Sequence, residues 1–474
     1  MRRAVFDFYY LARPGDSVVR RPLFDSLWDR ASTMTYGLSC RAVKRSVLGL
    51  VALSTLSVWL LLYQGTTEEA EGLYYEGGDA EDWPGVNWGN VTFTNVSLLT
   101  SGNWRRLSQE QISNLSVLGR RMFLGEDVGE EDKTRNFTIL IWKHGPYLER
   151  RFLRSHSAFE DCPVSNCKLT YEESVLPSAD AVLFHLHRTR GRKTLPSEGV
   201  RPEHQREIRV RITDGCTETS YYQNSFPLSL HENAGKLTEF NGVFNWSMSY
   251  RSDSDVPVPY GRTLLLTGVE KVQMAMREAN KDYHRNNTKM AAILISNCGG
   301  NNGRVKYLDE LKKHLQVDVC EGHYESNCLR LNEYKFYLSF ENSNCREYLT
   351  EKVWFNAYLK NSVPVIMGAP LEDCRRLLPP GSYVHVDAFK SPGHLASYLK
   401  HLAAMPAEYN ALFSWKKLFK VVNEHGYFDA PVFHYCRLCE ALNYNERSRK
   451  VYENLDEFWS VRRDCSKGYT VAKS

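Results

Sequence analysis

The sequence has almost no excess charge of either sign outside its first 45 residues. Those residues hold nine Lys and Arg against four Asp and Glu, a local charge of +5, and the whole 474-residue chain carries +4. The difference leaves about −1 for everything that follows residue 45. Because nucleic-acid binding needs a clustered basic surface, this balance argues against a nucleic-acid partner.

Long hydrophobic runs are also absent, with one exception at residues 46–64 (SVLGLVALSTLSVWLLLYQ). The run holds no charged residue, and a helix of this length crosses a hydrocarbon core of roughly 30 Å. Basic residues precede it and acidic residues follow it, at Arg41, Lys44, Arg45, Glu68, Glu69 and Glu71. The alternative is a cleaved signal peptide, but no Ala-x-Ala-like site follows. The positive-inside bias therefore predicts a cytosolic tail (1–45), a transmembrane signal anchor (46–64) and a lumenal remainder.

Glycosylation motifs and cysteines agree with a lumenal body. The Asn-x-Ser/Thr triplets all follow the apolar run, at Asn90, Asn95, Asn114, Asn136, Asn245 and Asn286. Of the twelve cysteines, only Cys40 precedes it, and an oxidising lumen would let the others form disulfides. Since eleven is odd, at least one of them is unpaired or pairs with another chain. Cys436 and Cys439 form a CxxC without a second zinc-binding pair, which favours a structural disulfide.

The lumenal part divides into a stem and a region of alternating strands and helices. Residues 65–133 are rich in Glu, Gly, Asn, Ser and Thr, which is typical of a glycosylated stem. Short apolar runs then alternate with helical stretches, at residues 137–142, 179–185, 208–212, 291–296, 336–340, 364–367 and 383–386. This pattern predicts an α/β fold with parallel sheets. Residues 213–265 are loop-rich, and the alternation resumes at Met290, which predicts two lobes (134–265 and 266–434) followed by a C-terminal CxxC segment (435–474).

The stretch from 334 to 368 is the most informative for chemistry. A predicted strand at 336–340 ends in the polar residues 341–344, and a helix is predicted from Arg346 to Lys360. In open α/β sheets, ligands bind beyond the carboxyl ends of the strands. Glu351 could accept the hydroxyls of a sugar, and Lys352 could neutralise a phosphate. The alternative is an ordinary solvated helix face with i,i+4 contacts.

A glycine-rich loop supplies a second candidate. Residues 299–303 (GGNNG) follow a predicted strand, and Arg304 opens an amphipathic helix that could bind an anion. The loop matches neither a Walker motif nor the dinucleotide fingerprint. Asp253 and Asp255 have a spacing that can hold a metal, but their position favours a turn or a substrate-contacting loop. His185 and His187 alternate at a strand end without a third ligand, so they are predicted to face substrate or to be packed.

These residues resemble the inverting α1,3/4-fucosyltransferase family. The match consists of Phe340-Glu341-Asn342-Ser343, Tyr348-Leu349-Thr350-Glu351-Lys352 and Val363-Pro364-Val365. Weaker similarity at 162–170, at 244–255 and in the CxxC extends it over roughly residues 136–465. The resemblance implies two Rossmann-like lobes of the GT-B type, GDP-fucose as donor, a type II Golgi membrane anchor, and direct displacement with inversion to an α-fucoside.

Carried over residue by residue, the resemblance implies donor-binding roles for Arg304, Glu341, Asn342, Tyr348, Glu351 and Lys352. Arg304 and Lys352 would oppose the diphosphate charge, and Glu351 would hold donor hydroxyls. The general base would be Glu218, in the segment 214–222 (DGCTETSYY). The family motif has a proline after its base and this segment has none, so Asp214 is the fallback. No cofactor is required in this scheme, although a divalent cation could stimulate it.

Two classes of function stay open from the sequence. Retention of Arg304, Glu351 and Lys352 favours an active transferase, whereas the irregular base motif favours a catalytically silent glycan-binding or scaffold protein. For an active enzyme, the acceptor is a core GlcNAc of an N-glycan, an antennal Lewis-type GlcNAc, or a protein hydroxyl. A carboxylate base is needed in each case, because a hydroxyl is a poor nucleophile near neutral pH.

Overall fold

The computed structural model describes residues 104–127, 135–143, 158–159, 162–185, 191–196, 208–212, 237–295, 302–321, 330–424, 434–446, 450–466 and 468–469. The predicted tail and anchor lie outside these ranges. Of the helices within them, none has both the length and the apolar character that crossing a bilayer requires.

The first sheet is entirely parallel. Its strands are β1 (Phe137–Ile141), β2 (Cys167–Thr170), β3 (Ala181–His185), β4 (Ile208–Ile212), β5 (Trp246–Ser249) and β6 (Val256–Pro257). They lie in the order β2-β1-β3-β4-β5-β6. The strands predicted at 137–142, 179–185 and 208–212 are confirmed as β1, β3 and β4. The strands β2, β5 and β6 were not predicted, and the last two fall in the segment predicted to be loop-rich.

The second sheet is also parallel. Following β7 (Gly261–Leu265), its strands are β8 (Lys289–Ile295), β9 (Val317–Glu321), β10 (Tyr334–Phe340), β12 (Val363–Met367) and β13 (Val384–His385). Their order is β13-β12-β10-β8-β9. All seven residues of β10 are buried, as expected of a central strand that is covered on both faces. The α/β class with two parallel sheets is thereby confirmed.

Two short antiparallel pairs complete the strands. β11 (Asn344–Cys345) pairs with β15 (Cys465–Ser466), and β14 (Phe419–Asn423) pairs with β7. The α-helices are α1 (Gln109–Ser113), α2 (Val117–Leu124), α3 (Gly268–Glu278), α4 (Tyr283–Asn286), α5 (Arg304–Leu311), α6 (Leu371–Leu377), α7 (Pro392–Ala404), α8 (Pro406–Ala411), α9 (His434–Tyr444), α10 (Leu455–Phe458) and α11 (Val461–Asp464). Short 3₁₀ helices span Glu173–Ser178, Arg192–Thr194, Leu237–Phe240, Leu331–Glu333, Tyr358–Lys360, Val386–Ala388 and Ser414–Lys417.

Segments from both ends of the described chain pack on the first sheet. Helix α2, which falls within the residues predicted as stem, buries Leu118 and Met122 in the same core as β1 and β3. Helix α9 adds Leu438 and Leu442 to that core. The second core consists of β8, β10 and β12 together with α5 and α7.

Disulfides attach the C-terminal segment to earlier parts of the chain. The CxxC cysteines do form structural disulfides, as predicted, and each bonds to a distant partner, in Cys162–Cys436 and Cys167–Cys439. A third disulfide joins Cys345 to Cys465 across the β11–β15 pair. Cys374 is a free, buried thiol, as the odd number of cysteines after the apolar run allows.

Glu347 connects elements of the two sheets. Its carboxylate accepts hydrogen bonds from Ser252 Oγ at 2.7 Å, between β5 and β6, and from Arg376 Nη2 at 2.8 Å, on α6. Its amide donates to Asp373 Oδ2 at 2.7 Å. All these groups are buried or nearly so. Because one buried carboxylate accepts from donors in both lobes, a single substitution at Glu347 removes a contact to each lobe.

We expect Glu347→Ala to lower the free energy of unfolding by about 3 kcal/mol, because it leaves Ser252 and part of the Arg376 guanidinium buried without their acceptor. Chemical denaturation measures the change. Glu372→Ala is the matched control, since Glu372 lies on the same helix, α6, with 75% of its side chain exposed. Equal stability of the two variants would show that the Glu347 contacts contribute nothing measurable.

Candidate donor-binding site

The strand order of the second sheet locates a cleft. Strand β9 follows β8 on one side, whereas β10 lies on the other side of β8 and continues to β12 and β13. The chain therefore reverses direction across the sheet between β8 and β10. In open α/β sheets, this switch point, at the carboxyl ends of the strands, is where ligands bind. Here Asn302 and Arg304, which follow β8 in the sequence, lie beside the end of β10.

Arg304 comes to this edge from the β8 side. It is the first residue of α5, as predicted, after Gly303 in the left-handed conformation (φ 72°). The side chain is buried, and its Nη1 donates to the Phe340 carbonyl at 3.2 Å, at the end of β10. Burial lowers the pKa of the guanidinium, while the nearby Glu341 carboxylate acts in the opposite direction. The structure thus joins the two predicted anion-binding stretches at one place.

Glu341 and Lys352 form the centre of the site. The Glu341 carboxylate is fully buried and accepts hydrogen bonds from Thr350 N at 2.8 Å and Thr350 Oγ1 at 2.7 Å. Lys352 Nζ lies 3.1 Å from both Glu341 Oε2 and Glu351 Oε1. About a fifth of the Lys352 and Glu351 side chains is exposed, at 18% and 23%. One ammonium between two carboxylates, partly open to solvent, can bind both hydroxyl and phosphate groups of a ligand.

The site electrostatics follow from this burial. Burial raises the pKa of the Glu341 carboxyl group, and the neighbouring Lys352 ammonium counteracts it. Burial by itself would lower the pKa of Lys352, but the Glu341 and Glu351 carboxylates outweigh it and hold the pKa above its ordinary value. Lys352 is therefore a cation at neutral pH, at the switch point of the sheet.

The predicted helix from Arg346 to Lys360 is confirmed only over residues 351–360, and there it is not a regular α-helix. Residues 346–350 form a turn in which Glu347 has a left-handed backbone (φ 58°), and the turn leads into a π-helix over Lys352–Ala357 and a 3₁₀ turn at Tyr358–Lys360. An α-helix cannot start earlier because the Glu347 contacts and the Thr350–Glu341 hydrogen bonds fix this turn. At the start of the π-helix, the Lys352 carbonyl accepts a hydrogen bond from Ser339 Oγ at 3.1 Å.

The irregular turn changes where Tyr348 lies. Its ring is fully buried, with ring centroids 5.3 Å from Tyr250 and 6.3 Å from Tyr260. The structure therefore places Tyr348 in a buried aromatic cluster, in the turn that precedes the helix of Lys352. Its contact with a donor stays a prediction.

Two asparagines and a threonine complete the site. Asn342 Oδ1 is buried and has no hydrogen-bond partner among the residues that the structure describes, so it can accept a hydrogen bond from a ligand hydroxyl or N–H. Asn302 Nδ2 donates to the Glu341 carbonyl at 2.7 Å, and Asn302 Oδ1 accepts from Arg304 N at 3.3 Å. Asn302 and Thr350 were not predicted as site residues. The sequence indicated them only by position, because Asn302 precedes Gly303 and Thr350 belongs to the matched Thr-Glu-Lys motif.

The Asp-x-Asp pair is engaged in structural contacts. Asp253 forms ion pairs with Arg251 and Arg346, and Asp255 accepts from Ser247 N and Tyr452 Oη. The pair lies in the turn between β5 and β6, as the favoured prediction has it. Within the described ranges, no group of three His, Cys, Asp or Glu side chains is arranged to hold a metal ion.

The remaining predicted residues lie outside the described residues. They are the base candidate Glu218, its fallback Asp214, and His187, together with the side chain of His185. Strand β4 ends at Ile212, two positions before Asp214, so the candidates follow the carboxyl end of a strand of the first sheet.

Comparisons with known proteins agree with this geometry. The family model "Glycosyltransferase family 10 (fucosyltransferase) C-term" matches residues 284–459, and "Fucosyltransferase, N-terminal" matches residues 134–261. Glycoprotein 3-alpha-L-fucosyltransferase A of Drosophila melanogaster is 33% identical over 68% of this chain and 60% of its own length. Alpha-(1,3)-fucosyltransferase 7 of Mus musculus is 34% identical over 68% of this chain and 76% of its own.

Among solved structures, a crystal structure of an α1,3-fucosyltransferase with GDP-fucose aligns over 72% of this chain and 98% of that chain, with 15% identity and a TM-score of 0.40. The two family models together cover both parallel sheets and the charged cluster at the switch point. The chain belongs to glycosyltransferase family 10, the fucosyltransferases.

Proposed function

We propose that the chain transfers L-fucose from GDP-fucose to the 3-hydroxyl of a GlcNAc residue on a glycoprotein glycan, with inversion to an α-linkage. The observation that carries the proposal is the joining of Arg304 and Lys352 at the switch point of the second sheet, beside the Glu341 and Glu351 carboxylates. The names of the two curated relatives, both 3-fucosyltransferases, support the linkage, and the first names a glycoprotein as its acceptor.

In this proposal the basic side chains of the donor site contact the diphosphate, and the acceptor oxygens contact the sugar. Arg304 and Lys352 stabilise the negative charge that builds on the GDP leaving group as the glycosidic bond breaks. Glu351 and Asn342 accept hydrogen bonds from hydroxyl groups of GDP-fucose, and the buried Glu341 carboxylate holds the Lys352 ammonium in place. Tyr348 would support the donor from the core. No cofactor takes part, and a divalent cation would at most stimulate the reaction.

The acceptor side of the reaction rests on Glu218. Its carboxylate would remove the proton from the attacking hydroxyl, because that hydroxyl does not ionise near neutral pH. Displacement on the face opposite GDP then gives the inverted product. We further propose that residues 46–64 anchor the protein in the Golgi membrane in the type II orientation, with the transferase part in the lumen.

The experiment that tests the function is a transfer assay with product linkage analysis. The full chain is incubated with GDP-fucose and a panel of core N-glycans, antennal N-acetyllactosamine glycans and unglycosylated peptides. We expect an α1,3-fucosylated GlcNAc product from one of the two glycan groups. Fucose on a peptide hydroxyl would replace the proposal by protein O-fucosylation, and GDP-fucose binding without any product would favour the silent glycan-binding alternative.

A further inference from the structure

The last described residues of the chain lie against the turn that precedes Arg304. The Cys345–Cys465 disulfide and the β11–β15 pair bring Cys465 and Ser466 to this edge of the second sheet. Beyond that pair, Tyr469 N donates to the Asn302 carbonyl at 2.9 Å. We call Cys465–Ser466 and Gly468–Tyr469 the C-terminal strap. It starts after residue 459, where the match to the family model ends, so family membership assigns it no role.

The strap and the turn touch through their backbones. A methyl group added to Gly468 would lie 2.2 Å from the Asn302 carbonyl carbon, and one added to Gly303 would lie 2.3 Å from the Tyr469 carbonyl oxygen. The Tyr469 ring packs on Tyr307 of α5, with 4.9 Å between ring centroids. There is no space for even one carbon atom between the strap and the residues that begin α5.

The contacts continue from the turn into the donor site. Asn302, under the strap, donates from Nδ2 to the Glu341 carbonyl at 2.7 Å and to Asn344 Oδ1 at 2.9 Å. Its Oδ1 accepts from Arg304 N at 3.3 Å. Asn302 is buried, so its amide cannot exchange these partners for water. Asn302 therefore links the strap, through its own backbone carbonyl and its side chain, to the backbones of Arg304 and Glu341, the two residues that bring a cation and a carboxylate to the site.

We propose that the C-terminal strap is a positioning element of the donor site, which holds the Asn302–Gly303 turn so that Arg304 and Glu341 are placed before the nucleotide arrives. The inference rests on the proposed function, because it takes Arg304 to bind the diphosphate. A preformed site binds more tightly, since less freedom is lost when the ligand enters. Gly468 and Tyr469 are positioning residues and need not touch the donor.

Gly468→Ala in the full chain tests the strap. We expect it to weaken GDP binding about tenfold by titration calorimetry and to raise the KM for GDP-fucose by a similar factor, with the acceptor KM unchanged. Gly268→Ala is the matched control, because a methyl group there meets no atom within 4 Å and neither glycine has a left-handed backbone. The control should bind GDP normally.

Two variants of Tyr469 test the strap even if the Gly468→Ala protein does not fold. Tyr469→Ala removes the ring that packs on Tyr307 and should weaken GDP binding, whereas Tyr469→Phe keeps the ring and should restore it. Normal GDP affinity in folded Gly468→Ala and Tyr469→Ala would overturn the strap proposal. Weaker GDP binding that is accompanied by a raised acceptor KM and a lowered melting temperature would also overturn it, since that combination indicates general damage to the fold.

Arg304→Ala separates this proposal from the proposed function. If Arg304→Ala weakens GDP binding and the strap variants do not, the strap proposal fails and the donor site stands. If the strap variants weaken binding and folded Arg304→Ala does not, the placement of the diphosphate at Arg304 fails, and with it the proposal that the strap acts by placing Arg304.

Discussion

Glu218→Gln is expected to lower the rate of fucose transfer by roughly a hundredfold or more while leaving GDP affinity unchanged. The substitution keeps the size and hydrogen bonding of the side chain but removes its ability to take a proton. Glu218 follows a strand of the first sheet, whereas the donor cluster is built on the second sheet, so the nucleotide site should not be affected. Steady-state kinetics and GDP titration on the same protein measure the two effects.

Asp214→Asn is the matched control for this prediction. It removes the other carboxylate of the segment that follows β4 by a substitution of the same kind, and we expect it to retain most of the activity. An inactive but folded Asp214→Asn beside a nearly normal Glu218→Gln would assign the role of base to Asp214. Full activity in both variants would mean that the base lies elsewhere in the chain.

Arg304→Ala and Lys352→Ala are each expected to weaken GDP binding by roughly ten- to a hundredfold. The loss of a charge-assisted contact to a bound anion costs on the order of 1.5–3 kcal/mol. Calorimetric titration with GDP measures it. Lys352 also neutralises the buried Glu341, so each variant must first be shown to be folded by its melting temperature.

Lys313→Ala provides the control for these cations. Lys313 follows the far end of α5 from Arg304 and has 62% of its side chain exposed, with an ion pair to Glu310. We expect GDP affinity in this variant to equal that of the unaltered protein. Folded Arg304→Ala and Lys352→Ala proteins with the same affinity as Lys313→Ala would contradict the placement of the diphosphate at the switch point.

The sequence predicted the position of the site because two local signals coincide there. A strand with a polar exit at Glu341 and a glycine-rich turn before Arg304 are both visible in short windows of sequence. The rule that parallel sheets bind ligands at the carboxyl ends of their strands then places both signals at one edge. What the windows could not give is the strand order, which creates the reversal between β8 and β10.

The local shape of the site depended on contacts between distant residues. The turn at Glu347 is fixed by Ser252 and Arg376, which lie 95 and 29 positions away in the sequence. A helical propensity pattern cannot detect such partners, so it predicted an α-helix across a turn. The partners of the CxxC were hidden for the same reason, because Cys162 and Cys436 are 274 residues apart.

The strap shows the same limit on a larger scale. Tyr469 and Asn302 are brought together by a disulfide and a two-residue strand pair, and nothing in the composition of the C-terminal residues indicates that contact. Short strands such as β11 and β15 have too few residues to show an alternating pattern.

The most direct test of the account is NMR analysis of a reaction that contains the full chain, GDP-fucose and the glycan that the acceptor panel identifies. We predict that the anomeric signal of the donor fucose is replaced by that of an α-linked fucose on the 3-position of GlcNAc, with one GDP released for each fucose transferred. Retention of the donor configuration in the product, or GDP release that yields only free fucose, would contradict the account.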